Sequence, residues 1–252
     1  MQLDEKWSYV FKKQKHCDLE DAADHRKGEC WDHMVFDPET RLVLAVEVAK
    51  RSGSSVLRLL KRAREQLRQK TPRLISSDNF GPYATCIELV FGQPQRPAPS
   101  GQGKAKPALA AATTSPLNYA TVCKRRRNGR VVKVERKVVF GTQTSVAAAL
   151  EASKASCAVN TSFVERHNAT DRHRNARKGR RTYRFSKDWA VHEAASRFIH
   201  YSYNFCWCVR TLRGKRKHGK HQPRTPAMAA RLTDHVWTIG QWLRRPVPMD
   251  ST

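Results

Sequence analysis

The first fifty residues alternate between hydrophobic and polar positions in the way that β-strands do. Residues 3–14 are rich in aromatic and β-branched side chains, and residues 30–36 and 41–49 have the same character. A polar stretch, residues 15–29, separates the first two segments, and the turn sequence DPET separates the last two. This pattern predicts a three-stranded meander.

The apolar spacing then changes to that of a helix. Five apolar residues at i, i+3, i+4, i+7 and i+11 share one helical face: Val56, Leu59, Leu60, Ala63 and Leu67. Ser54 or Ser55 is the expected N-cap, and Pro72 ends the helical region. A short apolar strand at 73–77 and a helix at 80–91 follow. The predicted order is βββαβα, with the fourth strand parallel to the first.

The second half of the chain is more polar. Residues 92–117 are rich in Pro, Gly, Ala and Ser without hydrophobic periodicity, which is typical of a linker. Residues 118–140 predict two basic strands joined by a turn at Asn128-Gly129. Further helices are predicted at 144–156, 161–178, 187–209, 225–231 and 237–244.

Net charge narrows the class of partner. The 252 residues include 48 Lys and Arg against 22 Asp and Glu, a formal net charge of +26. A fold does not need this excess, which costs stability through self-repulsion, so a polyanion such as nucleic acid is the expected partner. Residues 1–47 differ, because they hold seven basic against eleven acidic residues, a net charge of −4.

Basic residues are concentrated in three segments, 124–137, 166–187 and 210–224. These hold eight, nine and seven basic residues, against one, one and no acid respectively. Three aromatic residues lie in or beside the second segment: Tyr183, Phe185 and Trp189. The combination favours a groove that follows nucleic-acid phosphates, and a solvated surface is the alternative.

The sequence does not indicate a membrane-spanning, secreted, disulfide-rich or ATP-binding protein. No run approaches the roughly 18 apolar residues of a membrane helix, and the N-terminus MQLDEKWSYVF has no secretory signal pattern. Seven irregularly spaced cysteines indicate reduced thiols in an intracellular protein. No Walker A sequence is present, so ATP is not expected.

Two Cys/His patterns are candidates for metal ligands. His16 and Cys17, with Cys30 and His33, could form a zinc site across the first hairpin, although the spacing is unorthodox. The Cys-x-Cys sequence at residues 206–208 follows an aromatic helix, and we interpret it as buried thiols.

Three acids lie where a two-metal phosphodiester site would need them. Asp4 is in the first strand, Asp78 ends the fourth strand just before a helix, and Glu165 is on a helix in the most basic region. If the first and fourth strands are neighbours, Asp4 and Asp78 converge. Two Mg²⁺ ions about 4 Å apart flank the scissile phosphate in such sites, and carboxylate oxygens suit Mg²⁺ or Mn²⁺.

Longer blocks of sequence resemble a known family. LDEKWSYV, SSDNF and NTSFVERHNATDRHRNARKGRRTYRFSKDWAVHEAASRFIHYSYNF are similar to the insertion-sequence-one group of DDE transposases, as is the tail RTPAMAARLTDHVW to tails of related insertion-sequence transposases. The resemblance covers nearly the whole chain and is weakest over 93–117. The third block is the most specific, because Glu165, Asn168, the Arg-rich stretch, FSK and His192 follow one another in order.

The resemblance implies an α/β fold with an RNase H-like mixed β-sheet flanked by helices, an inserted basic β segment and a basic C-terminal tail. Residues 1–92 and 144–209 would form the catalytic core, 93–117 a flexible linker, 118–143 the basic β segment and 210–252 the C-terminal extension. It further implies a bacterial cytoplasmic protein that is associated with the nucleoid through DNA.

The implied function is that of a DNA transposase catalytic domain. Asp4, Asp78 and Glu165 would hold two Mg²⁺ or Mn²⁺ ions. Hydrolysis would free a 3′-OH at the transposon end, and that hydroxyl would attack target DNA by transesterification. The implied partners are the double-stranded DNA of the transposon ends and target, and further copies of the chain in a homodimer or larger assembly.

The resemblance also implies a set of DNA-binding residues. Glu165, Asn168 and Arg172 lie at i, i+3 and i+7 on one helical face, which would be turned toward the metals, and an exposed polar stripe is the alternative. His192 either approaches a phosphate or is a packed or capping histidine. The expected contacts are Asn168, Arg172, Arg174, Arg177, Lys178, Arg180, Arg181, Lys187 and His192.

The sequence departs from the family at its start. Related transposases usually carry a zinc-binding and helix-turn-helix region ahead of the first catalytic Asp, which here is residue 4. The region that recognises transposon ends would then be missing, supplied by a separate polypeptide, or lost by misplacing the start. Two alternatives stay open: a truncated, non-catalytic DNA-binding relative that competes with full-length transposase, and a structure-specific nuclease of the same fold.

Overall fold

A six-stranded mixed β-sheet forms the centre of the computed structural model, which describes residues 1–18, 20–92, 117–179, 182–215 and 221–245. The strands are β1 (Gln2–Val10), β2 (Gly28–Phe36), β3 (Val43–Ala49), β4 (Ile75–Ser77), β5 (Tyr119–Arg127) and β6 (Arg130–Phe140), in the order β3-β2-β1-β4-β5-β6. β1, β2 and β3 pair antiparallel, and β4 runs parallel to both β1 and β5. The predicted meander and the parallel fourth strand are confirmed.

Helices cover the sheet on both sides. They are α1 (Gly53–Gln66), α2 (Pro82–Phe91), α3 (Gln143–Glu151), α4 (Ser162–Arg174), α5 (Trp189–Cys206), α6 (Pro226–Ala229) and α7 (Ile239–Leu243). A small hairpin of β7 (Gly214–Lys215) and β8 (His221–Gln222) forms a separate sheet. No helix within the described ranges has the length and apolarity to cross a bilayer.

Alternation of side chains along the strands divides the core into two layers. Val35 of β2 packs with α1 and α2, in a cluster that includes Leu59 and Tyr83. Its neighbours Met34 and Phe36 pack on the other side, with α4 and α5. The predicted apolar face of α1 is buried, except that Leu67 is only partly buried.

Several element boundaries differ from those predicted. Ser52, rather than Ser54 or Ser55, caps α1, because its side chain accepts a hydrogen bond from the Ser55 amide. β1 ends at Val10 instead of residue 14, since Phe11 has a φ of +63°. α4 ends at Arg174 instead of residue 178, and a 3₁₀ turn follows it.

The basic β segment is part of the main sheet, and not an insertion as expected. β5 pairs with β4, and β6 adds the last strand by a hairpin. The predicted turn is confirmed, since Asn128 and Gly129 have φ values of +49° and +76°, as a two-residue hairpin requires. The expected flexible linker, residues 93–117, lies outside the described ranges except for Leu117, which is buried.

Candidate metal-binding site and its polar surroundings

β1 presents polar side chains to α4 at every second position. Gln2 accepts hydrogen bonds from the backbone amides of Phe163 and Val164, at 3.1 and 3.0 Å. Two residues further along β1, Asp4 accepts a bond of 2.7 Å from Asn168 Nδ2. Later residues of β1 therefore contact later residues of α4, so the helix runs alongside the strand in the same direction. Polar residues of one strand and one helix therefore meet inside the fold.

Asp4 and Asp78 converge, as the sequence predicts. Gln2 pairs with Ser76 in the parallel ladder, so a position two residues further along each chain brings Asp4 level with Asp78. One carboxylate oxygen of Glu5 completes a group in which the three oxygens lie within 4.8 Å of one another. Asp4 and Glu5 leave β1 on opposite faces, so the group closes around the sheet edge where β4 ends.

Glu165 lies at the rim of this group and not among its closest oxygens. It is in the first turn of α4, three residues before Asn168. Its Oε1 accepts hydrogen bonds of 2.5 Å from Thr161 Oγ1 and from Lys124 Nζ of β5. We call Asp4, Glu5, Asp78 and Glu165 the carboxylate site.

The carboxylate site has an excess of negative charge. Burial raises the pKa of Asp4 to about 7, and the charges of Glu5, Asp78 and Glu165 add to the rise. The hydrogen bond from Asn168 acts in the opposite direction and lowers this pKa. Burial, followed by the charge of Glu5, raises the pKa of Asp78 to about 6. The negative charge of Glu165 contributes to the raised pKa of both Asp4 and Asp78.

Two acids of this edge, Glu5 and Glu165, form ion pairs with residues of the described ranges. Arg51 Nε donates to Glu5 at 2.8 Å, and the Tyr83 hydroxyl donates to the other Glu5 oxygen, also at 2.8 Å. The ion pairs formed among the described residues include Lys124 with Glu165, but none to Asp4 or Asp78.

The donor set suits a divalent cation. It consists of carboxylate oxygens, the ligands that Mg²⁺ prefers, and a cation would offset the charge that raises the two pKa values. Asn168 Oδ1 is buried beside Asp4 and has no hydrogen-bond partner in the described structure, so it offers a further oxygen. The residues present therefore fit the group that the sequence implies.

A second acidic group lies deeper in the fold and was not predicted. Asp32 of β2, Asp171 of α4 and His200 of α5 offer ligand atoms within 4.8 Å of one another, and all three are buried. Lys6 of β1 bonds to Asp171 and lies 3.1 Å from Asp32, and Lys178 also bonds to Asp32. We call these five residues the ion-pair cluster.

The ion-pair cluster is electrically balanced by the chain itself. Burial would raise the pKa of Asp32, but Lys178, Lys6 and His200 outweigh it and hold that pKa well below its usual range. Burial lowers the pKa of His200 to about 4, so this histidine is neutral at pH 7. Lys6 and Lys178 already occupy the carboxylates, and the charge of Asp32 opposes the burial that lowers the pKa of Lys6 to about 7. We therefore interpret the cluster as a structural network and not as a metal site.

Three of the expected DNA-binding residues are interior. His192 is 1% exposed and bonds to Ser8 Oγ at 3.1 Å and Ser186 Oγ at 2.8 Å, so the packed alternative is correct. Lys178 is 6% exposed and engaged with Asp32. Asn168 is buried too, and it orients Asp4 instead of reaching DNA.

The remaining expected contacts lie nearer the surface. Arg177 and Lys187 are exposed, and Arg172 is partly buried. Arg174 is partly buried as well, and its guanidinium lies 4.4 Å from the ring centroid of Trp207. Arg180 and Arg181 fall outside the described residues.

The candidate zinc residues do not assemble. Cys30 and His33 are fully buried, and His33 Nε2 lies 3.2 Å from the Lys50 carbonyl oxygen. No group of potential metal ligands in the described part of the chain includes either of them. The interpretation of the Cys-x-Cys sequence as buried thiols is wrong, because Cys208 is exposed and Cys206 is only partly buried.

The ribbon formed by β5 and β6 brings positive charge to the carboxylate site. Most side chains from Cys123 to Val134 are exposed. Lys124 lies at the base of this exposed part, where it pairs with Glu165.

No protein-family model and no curated protein matches this chain.

Proposed function

We propose that the chain is the catalytic domain of a DDE-type DNA transposase, which cleaves DNA at the ends of an insertion sequence and joins them to target DNA with Mg²⁺ or Mn²⁺. The observation that carries this proposal is the convergence of Asp4 and Asp78 at one sheet edge with Glu165 beside them. Carboxylates in this arrangement suit metal-assisted phosphodiester chemistry.

The sheet topology supports the same proposal. The antiparallel β1, β2 and β3, followed by the parallel β4 and β5 on the other side of β1, agree with the RNase H-like core that the sequence resemblance implies. Active sites of open sheets commonly lie where the strand order reverses, and β1 and β4 form such a point. The carboxylate site lies at this junction.

The residues of the site divide the work between them. Asp4, Asp78 and Glu165 would hold the cations. Bound Mg²⁺ would activate the attacking water or 3′-OH and stabilise the leaving oxygen. Asn168 orients Asp4 by its 2.7 Å hydrogen bond, and Thr161 orients Glu165.

Positive charge around the site would bind the DNA backbone. Lys124 lies at Glu165, and the exposed Arg177 and Lys187 follow α4. These residues would contact phosphates, so affinity would fall as salt concentration rises.

Substitution of the three acids tests the proposal. Asp4→Asn, Asp78→Asn and Glu165→Gln are each expected to abolish Mg²⁺-dependent nicking of a supercoiled plasmid that carries the ends of the encoding element. DNA binding in a mobility-shift assay should be retained, since each change removes negative charge. Glu151→Gln, on the exposed part of α3, is the matched control. Normal nicking by any of the three variants would show that its acid is not catalytic.

The same assay separates the alternatives. A non-catalytic DNA-binding relative would give a salt-sensitive shift without any nicked product. A structure-specific nuclease would nick, but would never join an end to a second plasmid. Joined product that depends on all three acids is the result expected of a transposase.

A further inference from the structure

A cleft of about 440 Å³ lies beside the second half of β1, which follows the carboxylate site along the strand. One wall is aromatic, from Trp7 and Tyr9 of β1 and Phe185 of the segment before α5. Basic residues line the rest, among them Lys13, Arg172 and Arg177. The described residues that line the cleft include no acid.

The aromatic wall is held in place by the backbone. The ring centroids of Trp7 and Tyr9 lie 5.7 Å apart, and those of Tyr9 and Phe185 lie 5.0 Å apart. β4 has only three residues, so further along β1 Ser186 takes its place, forming a parallel bridge with Val10. This bridge fixes Phe185 next to Tyr9.

The Trp7 side chain is unusually exposed to solvent for a residue of a central strand. Its side chain is 40% exposed, although β1 lies in the middle of the sheet. A large exposed aromatic residue beside basic side chains is typical of a surface on which nucleic-acid bases stack.

The cleft lies close to the proposed reaction centre. Trp7 is three residues from Asp4 on β1, a distance of about 10 Å along a strand. Arg172 is seven residues from Glu165 on α4, which is also about 10 Å along a helix. Both walls therefore lead from the carboxylate site into the cleft.

The Phe185 ring already carries the Lys187 ammonium, 2.9 Å from its centroid, so Trp7 is the ring that a base can reach. We propose that this cleft binds one unpaired nucleotide of the DNA strand being processed, with its base against Trp7 and its phosphate near Arg172 and Arg177. The inference rests on the proposed function for the identity of the substrate. Bases in an intact duplex already stack on their neighbours, so a base must leave the duplex before an aromatic side chain can stack on its face.

Binding measured without metal tests the assignment. Fluorescence polarisation in EDTA would compare a labelled 12-nucleotide single strand of DNA with its blunt duplex. Trp7→Ala is expected to weaken single-strand binding by about 5- to 150-fold, the effect of losing 1–3 kcal/mol of stacking. Phe185→Ala should weaken it less, because the Phe185 ring supports the aromatic wall through Tyr9. Duplex binding should stay unchanged, and Trp7→Phe should keep most of the single-strand affinity because it keeps an aromatic face.

Trp207→Ala is the matched control, because Trp207 is 45% exposed and lies outside the cleft. Equal losses on single strand and duplex, an equal loss in Trp207→Ala, or tighter binding of RNA of the same sequence would each overturn the proposal. Circular dichroism of every variant identifies any loss caused by unfolding. If Trp7→Ala unfolds, Trp7→Leu replaces it, because leucine keeps apolar bulk at this partly exposed position but removes the aromatic face.

The result is independent of catalysis. If the plasmid assay finds no metal-dependent nicking while the single-strand preference depends on Trp7, the proposed enzyme activity fails and the nucleotide site stands. If nicking depends on the acids while the cleft variants bind single strands normally, the activity stands and the nucleotide site fails.

Discussion

Asp4 of the carboxylate site and Lys6 of the ion-pair cluster lie two residues apart on the same face of β1, yet the two groups differ in charge balance. In the ion-pair cluster Lys6 and Lys178 neutralise Asp32 and Asp171. In the carboxylate site Asp4 faces other acids, and burial with those charges raises its pKa to about 7. Proximity of acids therefore does not identify a metal site, and the cations that the chain supplies to them must be considered as well.

The largest expected effect comes from unbalancing the ion-pair cluster. Asp32→Asn should lower the free energy of unfolding by about 3–5 kcal/mol, because it leaves two buried ammonium groups without their shared carboxylate. Urea denaturation at pH 7 measures the change. An effect as small as that of the exposed Glu151→Gln would show that the cluster contributes little to stability.

The opposite change is expected at the carboxylate site. Asp4→Asn should raise the free energy of unfolding in metal-free buffer at pH 8, by at most about 4 kcal/mol, because the pKa of Asp4 is raised from 3.8 to about 7 in the fold. Below pH 4 the carboxyl is protonated in both states and the gain should disappear. It should grow as the pH rises from 4 to 7.

Urea denaturation at pH 4, 6 and 8 in EDTA, and again with Mg²⁺, measures this effect. Mg²⁺ should stabilise the wild type more than the variant, which narrows the difference between them. A variant less stable than the wild type at pH 8 would contradict the excess of negative charge that we assign to the site.

Acid should weaken the ion-pair cluster by charging His200. The pKa of this histidine is about 4 in the fold against its ordinary 6.5, so its contribution is fully present above pH 6.5 and is lost as the pH falls through 4. The shift corresponds to about 3 kcal/mol. Between pH 7 and pH 4 the free energy of unfolding, measured by urea denaturation, should fall by about 3 kcal/mol less in His200→Gln than in the wild type. An equal fall in the two proteins would contradict this prediction.

The smallest effect on stability is expected where the two kinds of charge meet. Lys124→Ala removes a partly exposed ion pair to Glu165 and should change the free energy of unfolding by only about 0–1 kcal/mol. It should lower the Mg²⁺ concentration for half-maximal nicking by roughly 2- to 5-fold, because the ammonium competes for the same oxygen. Lys133→Ala, which removes a pair to Glu135, is the control. A higher Mg²⁺ requirement would show that Lys124 assists the site.

The sequence pattern predicts the sheet and the convergence of Asp4 with Asp78 because both depend on local signals. Alternation identifies β1, and the order βββαβα makes a parallel β4 its neighbour. The N-cap of α1 escapes prediction, since Ser52, Ser54 and Ser55 are chemically equivalent and only the backbone geometry selects Ser52.

The ion-pair cluster could not be predicted in the same way. Lys6 and Asp171 are 165 residues apart, and their contact depends on how α4 lies along β1. The same packing decides that His192 and Lys178 point inward, although their basic surroundings indicate a DNA-facing surface. The sequence carries no local signal for this burial, because Lys6 alternates with Asp4 and Ser8 on what the pattern indicates as the polar face of the strand.

Side chains along β1 alternate between the two faces of the sheet, so the carboxylate site and the ion-pair cluster both depend on the register of this one strand. Gln2, Asp4, Lys6 and Ser8 all use one face of β1 (Gln2–Val10). Inserting or deleting a single residue between two of them would therefore turn the residues on one side of the change to the α1 and α2 side. Point substitutions can adjust each charge separately, whereas a change of one residue between Asp4 and Lys6 would place their side chains on opposite faces of the sheet. β1 should therefore vary in composition but keep a constant length among descendants of this chain.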